Sequence, residues 1–117
     1  AEVEDAINQH EEVVESAVVG FPHSIKGQGI YAFVILSKNE FNPNELCSQI
    51  HELVKKQIGP IARPEQIQFV TGLPKTRSGK IMRRILRKIA SGEINNFGDT
   101  STLLDPEVVD AIVDSRN

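Results

Sequence analysis

Several things are scarce in this chain, and each scarcity excludes something. There is one cysteine, Cys47, so no internal disulfide can form, which agrees with a reducing compartment. Its apolar surroundings read it as a small buried filler on a helix. The three histidines, His10, His23 and His51, have no ligand spacing among them, so side-chain metal ligation is not expected. His51 reads as a solvated residue, with no carboxylate or thiol placed to orient it for catalysis. No serine stands in a nucleophile-elbow context. No apolar run approaches the roughly 18 residues of a membrane span; the longest, Ile30–Leu36, has the length of a strand. No signal-peptide pattern is present. Acids are missing from one long stretch, between Glu65 and Glu93.

What fills that stretch is basic. Seven of the thirteen lysines and arginines fall between Lys75 and Lys88, a local charge of +7 on a chain whose total is −3. The rest of the sequence is therefore an acidic body. The chain opens at Ala1-Glu2-Val3-Glu4 without methionine, in what reads as the middle of a helix, so a fragment with a partner domain upstream is expected. At 117 residues the chain is expected to be one domain, large enough to bury a modest core.

Taken in order, Val3, Ala6, Ile7 and His10 repeat at helical spacing, predicting a short helix that ends near His10. Residues 15–21 read as a strand stopped by Pro22, and residues 23–29 as a turn. The β-branched and aromatic run Ile30–Leu36 predicts a central strand buried on both faces, antiparallel to the one before. Asn42, Pro43 and Glu45 compose an N-cap, a first helical position and a capping box. They open a helix over about 43–58 with the apolar stripe Leu46, Ile50, Leu53, Val54 and Ile58, closed by Gly59 and Pro60. Residues 59–64 are expected to be extended, held so by two prolines. Residues 66–70 alternate as a third strand. A helix then runs from Lys80 or Ile81 to about Ser91, capped by Gly92, with Ile81, Met82, Ile85, Leu86 and Ile89 on its apolar face and Arg83, Arg84, Arg87 and Lys88 on the other. After a polar, irregular stretch, Asp105-Pro106 caps a last short helix. The fold class is α+β: a small three-stranded sheet flanked by helices, with residues 1–92 as the domain and 93–117 as a tail.

The chemistry concentrates in Lys75-Thr76-Arg77-Ser78-Gly79-Lys80. It is not a P-loop: counting back from Gly79, the required glycine is Pro74, and Lys80 is followed by Ile81 rather than Ser or Thr. Residues 77–79 place a flexible backbone just before an expected helix N-terminus, where free amides favour anions. The Lys80 ammonium, on a long stem, could reach a neighbouring domain's site and stabilise charge there as a carboxylate attacks a phosphate. The alternative from charge alone is a basic-helix module for nucleic acid or an acidic protein partner. Against nucleic acid stand the acidic chain as a whole and the absence of any aromatic between Phe69 and Phe97 for base stacking.

The run from Leu73 to Arg84, Leu-Pro-Lys-Thr-Arg-Ser-Gly-Lys-Ile-Met-Arg-Arg, resembles the last core motif of adenylate-forming enzymes, in the form found in acetyl-CoA synthetases and their short-chain relatives. Further blocks resemble that family in the same order: residues 1–4 after its hinge, 17–23 with 25–27 in its first hairpin, 58–62 in its connector, and 98–103 with 105–106 in its tail. The resemblance implies the small C-terminal domain of a two-domain ligase. Such an enzyme uses ATP, with Mg2+, to turn acetate into acetyl-AMP and pyrophosphate, and then uses CoA to form acetyl-CoA and AMP. Lys80 matches the lysine that bridges the acyl carboxylate and the nucleotide, with Ser78 and Gly79 shaping its loop. A rotation of the small domain then withdraws that lysine and presents another face to CoA. The resemblance also implies reversible acetylation of Lys80, by a protein acetyltransferase and a sirtuin-type deacetylase. The expected compartment is cytoplasmic, with the mitochondrion and the nucleus left as alternatives. Lys55 matches a position where relatives place an arginine near the phosphorylated adenosine of CoA; lysine keeps the charge but not the planar fork. The turn holding Asn8, His10 and Val13 resembles a region where relatives hold magnesium, largely through backbone carbonyls. Without its large domain the chain is expected to be inactive as a ligase.

Overall fold

The central strand decides the architecture. In the computed structural model, which describes residues 2–23, 27–38, 40–93, 97, 101 and 103–115, it runs over Gly27–Leu36 (β2). Its side chains alternate between two cores. Tyr31 and Phe33 enter one cluster, and Ala32 and Val34 the other; all four are buried. A continuous apolar run is what a strand covered on both faces requires. The expectation of a buried central strand holds.

The flanking strand Val13–His23 (β1) pairs antiparallel with β2, and Gln66–Phe69 (β3) pairs parallel with it, in the order β1-β2-β3. A parallel neighbour needs a crossover, and the helix Pro43–Gln57 (α2) supplies it. Helix Glu2–Asn8 (α1) joins α2 on the Ala32–Val34 side. Helices Arg83–Ala90 (α3) and Glu107–Asp114 (α4) cover the Tyr31–Phe33 side. Among the described residues this is one mixed three-stranded sheet with four α-helices, the α+β class read from the sequence.

Local rules account for most boundaries. Asn42 Oδ1 accepts from the amides of Asn44 (3.1 Å) and Glu45 (3.2 Å), closing the start of α2. The Glu45 carboxylate accepts from Gln49 Nε2 on the next turn (3.4 Å). At the end of α3, Gly92 has φ +89°; its amide donates to the Ile89 carbonyl and that of Glu93 to Lys88. This is the Schellman pattern. Asp105 Oδ1 accepts from the Glu107 amide (3.1 Å) at the start of α4.

Four expectations need correction. Pro22 does not stop β1, because it lies on an edge strand at the hairpin end, opposite Gln28, where a missing N–H breaks no interior ladder. The connector is not extended: Pro60–Ala62 form a 3-10 turn, which Pro60 can open because its first position needs no N–H. His51 is not solvated: it is half-buried and its Nε2 donates to the Pro64 carbonyl (3.2 Å). Burial, with the nearby Arg63 charge, lowers its pKa from the usual imidazole value. The helix predicted from residue 80 or 81 begins only at Arg83. Cys47 is half-buried, and burial pushes its thiol up. Of the irregular stretch, residues 94–96, 98–100 and 102 lie outside the described residues, as do 24–26 of the first hairpin turn.

Two polar devices hold the layers together. Gln68 is buried on β3: its Oε1 accepts from the Tyr31 hydroxyl (2.7 Å), while its Nε2 donates to the Ile112 carbonyl (2.8 Å) and to Ser115 Oγ (2.9 Å). It thereby fastens α4 to the sheet. Gly72 allows the approach, since a Cβ there would lie 2.9 Å from Val108 Cγ2.

The second device closes the free edge of β1. Val18 turns its N–H and carbonyl outward; the N–H donates to Glu4 Oε2 on α1 (2.8 Å), and the carbonyl accepts from Arg83 Nη1 on α3 (3.3 Å). Glu4 and Arg83 meet each other in a two-point ion pair, with Arg83 Nη2 to Glu4 Oε1 at 2.9 Å. Burial works to raise the Glu4 pKa. The Arg83 hydrogen bonds, the Val18 amide and the Arg83 charge outweigh it and hold the carboxyl below its ordinary 4.5.

A folded-state pKa below the unfolded one stabilises above the unfolded value and is lost as pH falls through the folded one. Glu4→Gln is therefore expected to lower the urea midpoint at pH 7 by the equivalent of about 1–3 kcal/mol. The gap to the parent should shrink as pH falls below 4.5; a gap constant with pH would remove the ion pair from the explanation. Gln68→Leu should cost about 1–3 kcal/mol by removing the buried hydrogen bonds that Gln68 makes to Tyr31, Ile112 and Ser115. Amide exchange across 107–114 should speed up, because the side chain is what docks α4.

Candidate active-site loop

After β3 the chain is anchored before it reaches the surface. Leu73 and Pro74 are buried, and they fix the root of the basic loop. Lys75 then pairs with Ile81 as an antiparallel bridge, and the Met82 amide donates to the Pro74 carbonyl (2.8 Å). Between these strands the chain reverses over Thr76–Lys80. The Gly79 amide donates to the Thr76 carbonyl and the Thr76 amide to the Lys80 carbonyl, both at 2.9 Å, with Gly79 at φ +90°. This is the pattern of a hairpin turn closed by a glycine bulge. A Cβ on Gly79 would meet nothing within 4 Å, so the backbone conformation, not space, calls for glycine here.

This geometry changes the anion-binding argument made from the sequence. Lys80 lies three residues before α3, and its amide is not free: it donates to Thr76 Oγ1 (3.2 Å). With the Gly79 amide also satisfied, two of the loop's amides, those of Gly79 and Lys80, are not available to an anion. Ser78 Oγ shares a hydrogen bond with Thr76 Oγ1 (2.9 Å). Lys80 is exposed, and among the described residues its Nζ has no partner. Beside it opens a groove of about 590 Å3, lined by Thr76, Lys80, Ile81, Met82, Arg84 and Arg87.

Three of the neighbouring cations have other duties, which removes them from the basic face that a nucleic acid or an acidic partner would meet. Lys75 Nζ donates to Glu15 Oε1 on β1 (2.8 Å). Arg83 is committed to Glu4 and the Val18 carbonyl, and Arg84 Nη1 donates to the Phe97 carbonyl. Arg87 remains exposed. The apolar side of the segment behaves as expected: Ile85, Leu86 and Ile89 are fully buried, and Ile81 and Met82 pack against the same cluster.

Lys55 is exposed in the last turn of α2. It therefore stands on the opposite side of the sheet from the Lys80 loop, and the two lysines lie on different surfaces. Asn8, His10 and Val13 do come together at the α1–β1 turn, where the Val13 amide donates to the His10 carbonyl (3.1 Å). Their side chains are otherwise engaged. Asn8 Oδ1 accepts from Ser16 Oγ (2.8 Å). His10 Nδ1 accepts from the Glu12 amide (3.1 Å), which leaves Nε2 to donate to Gln49 Oε1 (2.6 Å). Magnesium favours a near-octahedral oxygen shell with one or two carboxylates. The side chains at these three positions do not supply one, and among the described residues no group of three or more His, Cys, Asp or Glu could hold a metal.

Three contributors to the loop escaped the sequence reading. Glu4 and Glu15 are acids on distant elements, and no local pattern marks them as partners of Arg83 and Lys75. The tail also reaches the loop: Thr76 bridges Leu103, which is buried, and the Leu104 amide donates to the Lys75 carbonyl (2.9 Å). Thr76 itself had a signal, since Thr-x-Ser-x-Lys places two hydroxyls within one turn of the lysine.

Comparison with known proteins agrees with this arrangement. Residues 2–80 match the family described as the AMP-binding enzyme C-terminal domain. Over 116 residues, 99% of this chain, the sequence is 58% identical to an acetyl-coenzyme A synthetase of Shewanella sediminis and 61% identical to one of Parvibaculum lavamentivorans. The chain spans only 18% of the length of either. A crystal structure of a Brucella canis acyl-CoA synthetase superposes with a TM-score of 0.70 at 46% identity, over 74% of this chain and 16% of that one. The match over residues 2–80, on a three-stranded sheet shared with such solved structures, places the chain in the AMP-binding enzyme C-terminal domain family.

Proposed function

We propose that this chain is the mobile, lysine-bearing domain of an AMP-forming acetate–CoA ligase and that Lys80 serves its adenylation half-reaction. In that reaction an acetate oxygen attacks the α-phosphorus of ATP, pyrophosphate leaves, and acetyl-AMP forms. The thiol of CoA then attacks the acetyl carbon and AMP departs. Negative charge gathers on the carboxylate and the phosphoryl oxygens as they approach. An ammonium placed between them stabilises that arrangement more than it stabilises the separated reactants.

One observation carries the reading: Lys80 is exposed on the glycine-closed hairpin with no partner for its Nζ among the described residues, and of the cations around it only Arg77 and Arg87 are likewise exposed, Lys75, Arg83 and Arg84 having acceptors. The high identity to acetyl-coenzyme A synthetases over 99% of the chain supports acetate, ATP and CoA as the substrates and a large N-terminal domain as the partner. The position of Lys55 across the sheet suits a second surface for CoA. The exposure of Lys80 also suits acetylation and deacetylation of that side chain as a switch, since acetylation would remove the charge the reaction uses. The nucleic-acid alternative loses its basis once Arg83 and Arg84 are committed within the fold.

In the two-domain enzyme that carries this chain, Lys80→Ala is expected to reduce acetate-dependent pyrophosphate release by about 10²–10³-fold. Synthesis of acetyl-CoA from supplied acetyl-AMP should be retained; equal loss of both steps would overturn the assignment. The 117-residue chain alone should form no detectable acetyl-CoA from acetate, ATP and CoA, as read by thioester formation.

A further inference from the structure

We infer that Thr76 is a positioning residue for Lys80, fixing where the ammonium stands through a hydroxyl contact to the lysine's own backbone. The inference rests on the adenylation role proposed for Lys80. Thr76 engages Lys80 twice: its amide donates to the Lys80 carbonyl (2.9 Å), and its Oγ1 accepts from the Lys80 amide (3.2 Å). The side chain replaces a backbone acceptor that the bulge has moved out of register. The same Oγ1 meets Ser78 Oγ (2.9 Å), so one hydroxyl organises both ends of the turn.

Thr76 is in turn held from outside. It is the middle strand of a small three-stranded patch, with Lys80–Ile81 on one side and Leu103–Leu104 on the other. Leu103 is buried in the main core, so the tail clamps Thr76 to the body of the domain. A lysine side chain has four rotatable bonds and cannot aim itself. If its Cα and backbone plane are fixed, only the side-chain rotamers remain to be ordered when the domain docks. Thr76 touches none of the reacting atoms and acts only through Lys80.

The test uses the two-domain enzyme with Thr76→Val, which keeps the shape and removes the acceptor, and Thr76→Ser, which keeps the hydroxyl. Thr76→Val is expected to lower kcat for acetate-dependent pyrophosphate release by about tenfold, with KM for acetate and ATP nearly unchanged. Synthesis from supplied acetyl-AMP should keep its parent rate, and Thr76→Ser should restore most of the adenylation rate. Should Thr76→Val not yield folded enzyme, Thr76→Ala carries the same expectation, with the second half-reaction reporting that the protein is folded. An equal fall in both half-reactions, or no rescue by serine, would make Thr76 merely structural and overturn the inference. Full adenylation by Thr76→Val while Lys80→Ala is inactive would overturn it too, leaving the role of Lys80 standing. Full adenylation by Lys80→Ala would instead remove the proposal on which it rests.

Discussion

The ion pair between Glu4 and Arg83 is the contact on which the layers of this domain depend. The sheet has a free edge at β1, and an outward N–H and carbonyl there invite pairing with another chain. Here the Val18 N–H and carbonyl are taken by a carboxylate from one face of the sheet and a guanidinium from the other. The two charged groups also satisfy each other. A single cluster thus covers the edge, joins α1 to α3 across it, and fixes the start of α3. Because Arg83 stands three residues after Lys80, the same cluster fixes one end of the lysine hairpin. Lys75 to Glu15 fixes the other end, on the same strand.

The hairpin is therefore tied down on all sides except its tip. Pro74 and Leu73 hold the root, Glu15 and Glu4 hold its two flanks through the basic side chains next to them, and Leu103 holds the outer strand. A domain that carries a charge into another domain's site needs that property. If the loop were floppy, its ordering would have to be met from the energy of docking. A reversal closed by a positive-φ glycine and a threonine hydroxyl spends few residues to achieve it.

How much of this was legible in the sequence follows from the range of each interaction. β2 was legible because seven consecutive apolar residues admit few other environments, and α2 because Asn42, Pro43 and Gly59 act on their immediate neighbours. The hairpin turn at Gly79 had a signal in the run from residue 73 to 84, where a glycine stands among polar and basic residues. The start of α3 was not, because the helical pattern Ile81, Met82, Ile85, Leu86, Ile89 extends back past the real boundary. Ile81 and Met82 reach the same core from a bridge and a cap. The basic face of α3 was misread for a similar reason. Its partners Glu4 and Phe97 lie 79 and 13 residues away, and spacing along one helix cannot reveal them. Gln68 was hidden by its alternation with Ile67 and Phe69, which suits a solvent-facing polar residue as well as a buried latch.

The distribution of charge gives the arrangement its sense. Seven cations lie between residues 75 and 88, and left unpaired they would repel one another and blur any single one's effect. The fold neutralises Lys75 and Arg83 with carboxylates and gives Arg84 a carbonyl. What the hairpin leaves exposed is then Lys80, beside Arg77, in water, where an exposed ammonium costs little. Its interaction with an anion is weak there and grows only when another surface excludes water around it. Under the proposed adenylation role, such a charge is inexpensive while undocked and strong once docked. The acidic body and the basic loop are two parts of one device: the acids at positions 4 and 15 restrain Arg83 and Lys75 and leave Lys80 exposed between them.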